Sequence, residues 1–223
     1  MKFEAAARRS LEAILVNLDK SRLDETGATD GQKAAWFALA SNCSAGALYY
    51  KIPPGLSEVL DNVSPSLCRT IPLNYRKNPV TLLRMGSDNT SAELALLRAE
   101  NLIVAARLSE VDGAHASAQR RRAMLEEAET LGSQAASRGV ERAFLFMAQQ
   151  YESGGFEKKD LRRAYVFLSA MQSVEDSADN RERLDYVYQQ MTATDYKDMT
   201  QAIARCARPR MQWPGVVLAN PFR

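Results

Sequence analysis

The sequence predicts an all-α protein of antiparallel helix pairs, and three observations carry that prediction. Alanine is abundant while aromatic residues make up only 8% of the 223 residues, a balance that favours helix. Apolar residues recur every three or four positions through much of the chain, the stripe that a helix turns toward a core. Glycine, proline and N-capping residues cut that pattern into segments of helical length joined by short loops, and short loops make consecutive helices antiparallel neighbours.

Taken in order, Phe3, Ala7, Leu11, Ile14, Leu15 and Leu18 lie on one face of a helix over residues 2–19. The polar stretch 21–31, with Gly27 and Gly31, reads as a loop. A second helix over 32–50 carries Ala35, Trp36, Leu39, Ala40 and Ala47, and Pro53-Pro54 stops it. The stretch 53–90 holds Pro53, Pro54, Pro65, Pro72 and Pro79 of the chain's eight prolines. Short helical turns fit 55–62 and 65–69. An ordered connector fits 71–90, because Ile71, Leu73, Tyr75, Val80, Leu82 and Leu83 are too many apolar groups to leave in water. Thr90-Ser91-Ala92-Glu93 has the form of a capping box opening a helix that runs to about Val111 and ends at Gly113. Helices follow at about 117–137, 140–153, 160–174 (opened by Asp160 as N-cap), 178–191 and 194–207, the last closed by Pro209. The tail 211–223 is apolar and non-helical, and its Trp213, Val216, Val217 and Leu218 predict packing against the body. Three regions result: a helical N-terminal region with a Pro-rich connector (1–89), helix pairs (90–210) and the tail (211–223).

Composition narrows the functions. With 29 Lys+Arg against 27 Asp+Glu there is no strong basic field for nucleic acid. One histidine cannot build a multi-His zinc site, and His115, read in a loop between helices, has no nucleophile motif around it. No P-loop, G-x-S-x-G or G-x-G-x-x-G is present, so no metal, cofactor or catalytic residue is expected. Arg120–Arg122 beside Glu126, Glu127 and Glu129 reads as a solvated helix face. No apolar run is long enough to span a membrane, and the first twenty residues do not read as a secretory signal. The compartment stays open between a bacterial periplasm, if a leader has been removed, and a cytoplasm. Cys43 and Cys68 could pair in an oxidising compartment and leave Cys206, flanked by Arg205, Arg208 and Arg210, as a thiol; three buried thiols in a reducing one is the alternative.

The helix pairs carry a repeat. Ala128 and Leu131 recur one period later as Ala164 and Phe167. Between them stands Ala135-Ala136-x-x-Gly139-x-x-x-Ala143-x-x-x-Met147-Ala148-x-x-Tyr151-x-x-Gly154, and Asp160-x-x-x-Ala164-x-x-Phe167 follows. Ala143, Met147, Tyr151 and Gly154 share one helix stripe. Ala148 is small enough for a close helix approach, Gly154 permits a left-handed helix end, and Ala164 is small where two axes cross. Over about residues 128–171 this arrangement resembles the Sel1-like repeat, a relative of the tetratricopeptide repeat. Met147 stands in place of the family's Leu, Ala148 in place of its Gly, and Phe167 at its second-helix aromatic position. Downstream, Leu184 and Tyr188 continue the period, but no glycine closes the turn; upstream, 91–127 is helical with a degenerate pattern.

The resemblance implies a short right-handed Sel1/TPR-like solenoid, with the N-terminal region at one end, whose concave face is lined by the first helix of each pair. On that logic Arg107, Gln149, Gln150 and Glu152 are the candidate binding residues. It further implies a protein–protein interaction module whose partner is another protein. Some members of the family are immunity proteins that bind and neutralise secreted bacterial toxins, including type VI phospholipase effectors. Two other readings stay open: an envelope adaptor or scaffold, and a small-ligand binder or enzyme with a cleft between the N-terminal region and the repeats.

Overall fold

The computed structural model describes residues 2–16, 27–44, 49–61, 63–84, 90–109, 115–197 and 199, and among them every regular element is a helix. The chain divides into two compact units, Met1–Leu131 and Gly132–Arg223.

The first unit is organised around one buried helix. Its elements are α1 (Lys2–Val16), α2 (Asp30–Asn42), α3 (Pro54–Leu60), α4 (Pro65–Thr70), α5 (Leu73–Lys77), a 3-10 helix (Pro79–Arg84), α6 (Ala92–Leu108) and the start of α7 (His115–Ser137). Ala34, Ala35, Phe37, Ala38, Leu39 and Ala40 of α2 are all buried, so this helix is apolar nearly all round and takes the central place. α1, α3, α5 and the 3-10 helix pack on it, and α6 packs on the 3-10 helix. A Cβ at Gly31 would stand 3.1 Å from the backbone of Ala6, which shows how closely α1 and α2 cross. Ala7, Leu11 and Ile14 of α1 are buried, and of the connector residues Ile71, Val80, Leu82 and Leu83 are buried, whereas Leu73 is exposed.

Several boundaries differ from those read in the sequence. The helix read from 32 begins at Asp30, because Thr29 and Gln32 form a capping box, and it ends at Asn42 with Cys43 as its C-cap. The cap of α6 is Ser91, whose side chain accepts from the Leu94 amide, and α6 ends at Leu108 with Arg107 in its last turn. His115, read as a loop residue, opens α7. α6 and α7 up to Leu131 belong to the first unit, and polar contacts tie α6 to the helices before it. The Ser91 amide donates to Asp30 at 2.7 Å, and Asn101 of α6 closes a ring of bonds on the Lys51 backbone. Residues 17–19, 45–48, 85–89, 200–207 and the tail 211–223 lie outside the described residues, as do Cys206 and its flanking arginines.

The second unit contains the end of α7, α8 (Glu141–Ser153), α9 (Leu161–Val174), α10 (Ala178–Gln189) and a helical turn at 193–197. α8 packs on α9 and α9 on α10. The pairings run in opposite directions along each pair. Phe144 meets Phe167 while Tyr151, further on, meets Arg163. Likewise Lys159 meets Gln190, Tyr165 meets Tyr188, and Asn180 meets Glu175. Both pairs are therefore antiparallel.

Candidate functional site

The residues of the repeat pattern sit at the junctions of α7, α8 and α9. Ala135, Ala136, Ala143, Met147, Ala148, Tyr151 and Ala164 are buried. Gly139 and Gly154 both adopt left-handed backbone, at φ +83° and +75°, and Gly154 caps the C-terminus of α8. Asp160 is the N-cap of α9: its side chain accepts from the Arg163 amide at 3.1 Å, and its own amide donates to the Tyr151 carbonyl at 2.9 Å. Phe167, half-buried, stacks on Tyr151 with ring centroids 5.9 Å apart and planes at 21°. Arg163 lies over the same Tyr151 ring, 5.3 Å from its centroid, and donates to the Tyr151 hydroxyl. Phe156 closes the cluster against Tyr151 and Phe146. These groups pack the helices against one another.

Two contributors escaped the sequence reading. At Gly132 of α7 a Cβ would overlap the Met147 sulfur and come within 2.8 Å of the Phe146 ring, so the helix comes too close to the α8 side chains there for any side chain on residue 132 without rearrangement. Arg183 of α10 pairs with Glu152 at the end of α8, at 2.9 Å. The first signal was a lone glycine in a helical pattern. The second, a long-range ion pair, leaves no local mark in a sequence.

The four candidate binding residues fall in two different units. Arg107 is exposed in the last turn of α6, in the first unit, whereas Gln149, Gln150 and Glu152 belong to the second. Gln150 is only 9% exposed, lying against Gly155, so its amide is not presented as an outward polar group. Gln149 and Glu152 are half-buried, and Glu152 is committed to Arg183.

The exposed aromatic groups of the second unit lie elsewhere. Tyr165 of α9, Tyr188 of α10 and Tyr196 of the following turn form a row, with centroids 6.2 Å and 5.8 Å apart along it. Tyr186 and Tyr188 are 55% and 45% exposed. Burial pushes the Tyr165 hydroxyl above its ordinary pKa, against the opposing pull of its hydrogen bond with Ser169. The turn carrying Tyr196 is held by Asp195, which accepts from the Thr192 hydroxyl at 2.7 Å and the Thr192 amide at 3.0 Å. Those bonds hold the Asp195 carboxyl below its usual range.

Polar groups of the first unit serve the fold. Asn101 is fully buried; its side chain accepts from the Lys51 amide at 2.7 Å and donates to the Lys51 and Leu97 carbonyls at 3.0 Å and 2.8 Å. Lys33, 2% exposed, pairs with Asp30 at 3.5 Å. Arg98 of α6 pairs with Glu127 of α7; burial draws the guanidinium below its ordinary pKa, while Glu127 pulls it back up. A disulfide joins Cys43 at the end of α2 to Cys68 in α4, with the Cα atoms 5.3 Å apart.

Among the described residues no group of three or more His, Cys, Asp or Glu is placed to hold a metal ion. No helix among them is long and apolar enough to cross a membrane. His115 lies in α7, and its side chain is outside the described residues. Comparison of the chain with protein-family models, curated proteins and solved structures finds no match.

Proposed function

We propose that this chain is a protein–protein interaction module of the Sel1-like kind, and that its partner is a secreted bacterial toxin which it binds and neutralises. The observation that carries the reading is the α8–α10 assembly. The small residues Ala143, Ala148 and Ala164 are buried in it, Gly154 turns the chain in left-handed backbone and Asp160 caps the return helix. The third helix then reaches back to the first through Arg183 and Glu152. That contact is what stacking of one helix pair on the next requires, and stacked pairs build extended surfaces for proteins. Tyr186 and Tyr188, both largely exposed on the third helix, are the residue type over-represented where protein interfaces bind tightly.

The Cys43–Cys68 bond supports an oxidising compartment, in keeping with the periplasm, where either an immunity protein or an envelope adaptor would work. Co-expression separates these two. A toxin encoded beside this chain is expressed alone and together with it, and the purified proteins are mixed and sized. The immunity reading expects growth arrest by the toxin alone, rescue on co-expression, and a stable complex. A neighbouring protein that leaves growth unchanged when expressed alone removes the immunity role and leaves the adaptor.

A further inference from the structure

The Cys43–Cys68 bond joins two segments of very unequal anchorage. α2 is the most buried helix of its unit, and Cys43 sits at its C-terminal end, half-buried, at the margin of that core. No side chain of α4 is fully buried; Leu67 and Cys68 are half-buried and the rest are exposed. Its hydrogen bonds are local: Ser64 accepts from the Leu67 amide and shares a bond with the Ser66 hydroxyl, and the Thr70 hydroxyl donates to the Leu67 carbonyl. Six residues with one cap cannot hold a helix in water on their own. On either side the chain is firmly held, by Leu56 and Leu60 of α3 before it and by Ile71, 2% exposed, after it. Cys68 itself is half-buried, within reach of a small thiol.

We propose that Cys43–Cys68 is a redox-sensitive latch: a dithiol reductant opens it and frees residues 63–70, while α2 and the elements around it stay folded. One thiolate of the reductant attacks a sulfur of the bond, forming a mixed disulfide and releasing the other cysteine. The second thiol of the reductant then displaces the first cysteine. The reductant leaves as its own disulfide, and two electrons and two protons end on Cys43 and Cys68 as thiols. Side chains at 56, 60 and 71 confine the release, because freeing those would expose fully buried apolar groups, whereas 63–70 holds only partly buried ones, Val63 and Leu67.

Amide hydrogen exchange on the full chain tests this, with Cys206→Ser to prevent disulfide exchange. The oxidised protein is compared with the same protein in excess dithiothreitol. Exchange at 63–70 is expected to quicken by about tenfold or more, with less than about a twofold change at 31–41 and 93–103. The double variant Cys43→Ser/Cys68→Ser should show the fast pattern without reductant. Unchanged exchange at 63–70 overturns the proposal. So does acceleration that spreads through 31–41, or a double variant that loses its helical signal, since either result makes the bond a staple of the whole unit.

Discussion

In the first unit α2 is buried on nearly every side, and other helices are arranged around it; in the second, from α8 onward, each helix buries less than the one before. α8 buries seven residues, α9 four, and α10 only Asn180 and Val187. The first unit has one centre, and polar groups such as Lys33, Asn101 and Ser41 are enclosed within it. The second is layered, and its outermost helix shows tyrosines to solvent. A closed core and a graded stack need different things from a sequence. The core needs bulk at its centre and hydrogen-bond partners for enclosed polar groups such as Asn101. The stack needs small residues where helices cross and glycine where the chain turns.

The largest effect that separates the two is expected at Phe37, fully buried in α2 and edge-on to Tyr50 at 6.2 Å. Phe37→Ala leaves a cavity at the centre of the first unit and is expected to cost about 3–5 kcal/mol. Thermal unfolding followed by exchange should show the loss throughout α1, α2 and α3. A loss under about 1 kcal/mol would mean that α2 is not the centre of that core.

The next effect tests the enclosed polar groups. Asn101→Leu keeps the volume but removes three hydrogen bonds, two of them to the Lys51 backbone. The expected loss is about 2 kcal/mol, with faster exchange at the Lys51 amide. Equal stability of wild type and variant would show that water takes over these bonds. For the stack the matching test is Ala148→Leu, which adds bulk to a fully buried position of α8. Overpacking is expected to cost about 1–3 kcal/mol in denaturant unfolding. A neutral result would mean that α8 has no close neighbour at that point.

Those contrasts also explain how much could be read in advance. Helix identity and the order of elements from α6 to α10 were legible, because periodicity and caps such as Ser91 and Asp160 are local signals. The α7–α9 residues were legible for the same reason: Gly139, Gly154 and Ala164 mark turns and crossings by their size alone. The anchorage of α6 was not. It depends on Asp30 receiving the Ser91 amide and on Asn101 reaching Lys51, contacts between residues that are remote in sequence. The burial of Gln150 was hidden likewise, since an amide at an outward-looking helix position gives no sign of what the following Gly155 brings against it. The start of α2 could have been read: Thr29-x-x-Gln32 is a capping-box signature as clear as the one placed at Thr90.

A smaller effect compares two glycines of the stack. Both have left-handed backbone, but a Cβ at Gly154 would meet the Lys159 amide at 3.3 Å, while one at Gly139 would meet nothing within 4 Å. Gly139→Ala is expected to cost about 1 kcal/mol from backbone strain alone, and Gly154→Ala somewhat more. Asparagine tolerates the left-handed region, so Gly139→Asn should recover part of the loss and Gly154→Asn less. Equal melting temperatures for the two alanine variants would show that the 154–160 return loop adjusts freely.

The smallest expected effect bears most directly on the stack. Glu152→Gln removes the charge that faces Arg183, a half-exposed pair, and should cost no more than about 1 kcal/mol. Its value lies in where the change appears. If the pair ties the third helix to the first, exchange should quicken along α10, which buries little else to hold it, while α8 and α9, joined by the Tyr151–Phe167 stack, stay protected. A Glu152→Gln/Arg183→Met double variant should then lose scarcely more than either single change, because both remove one interaction. Additive losses would mean that each side chain acts through other neighbours. The second unit would then be a helical hairpin with an appended helix, and the proposal of a binding surface built by stacking would lose its main physical support.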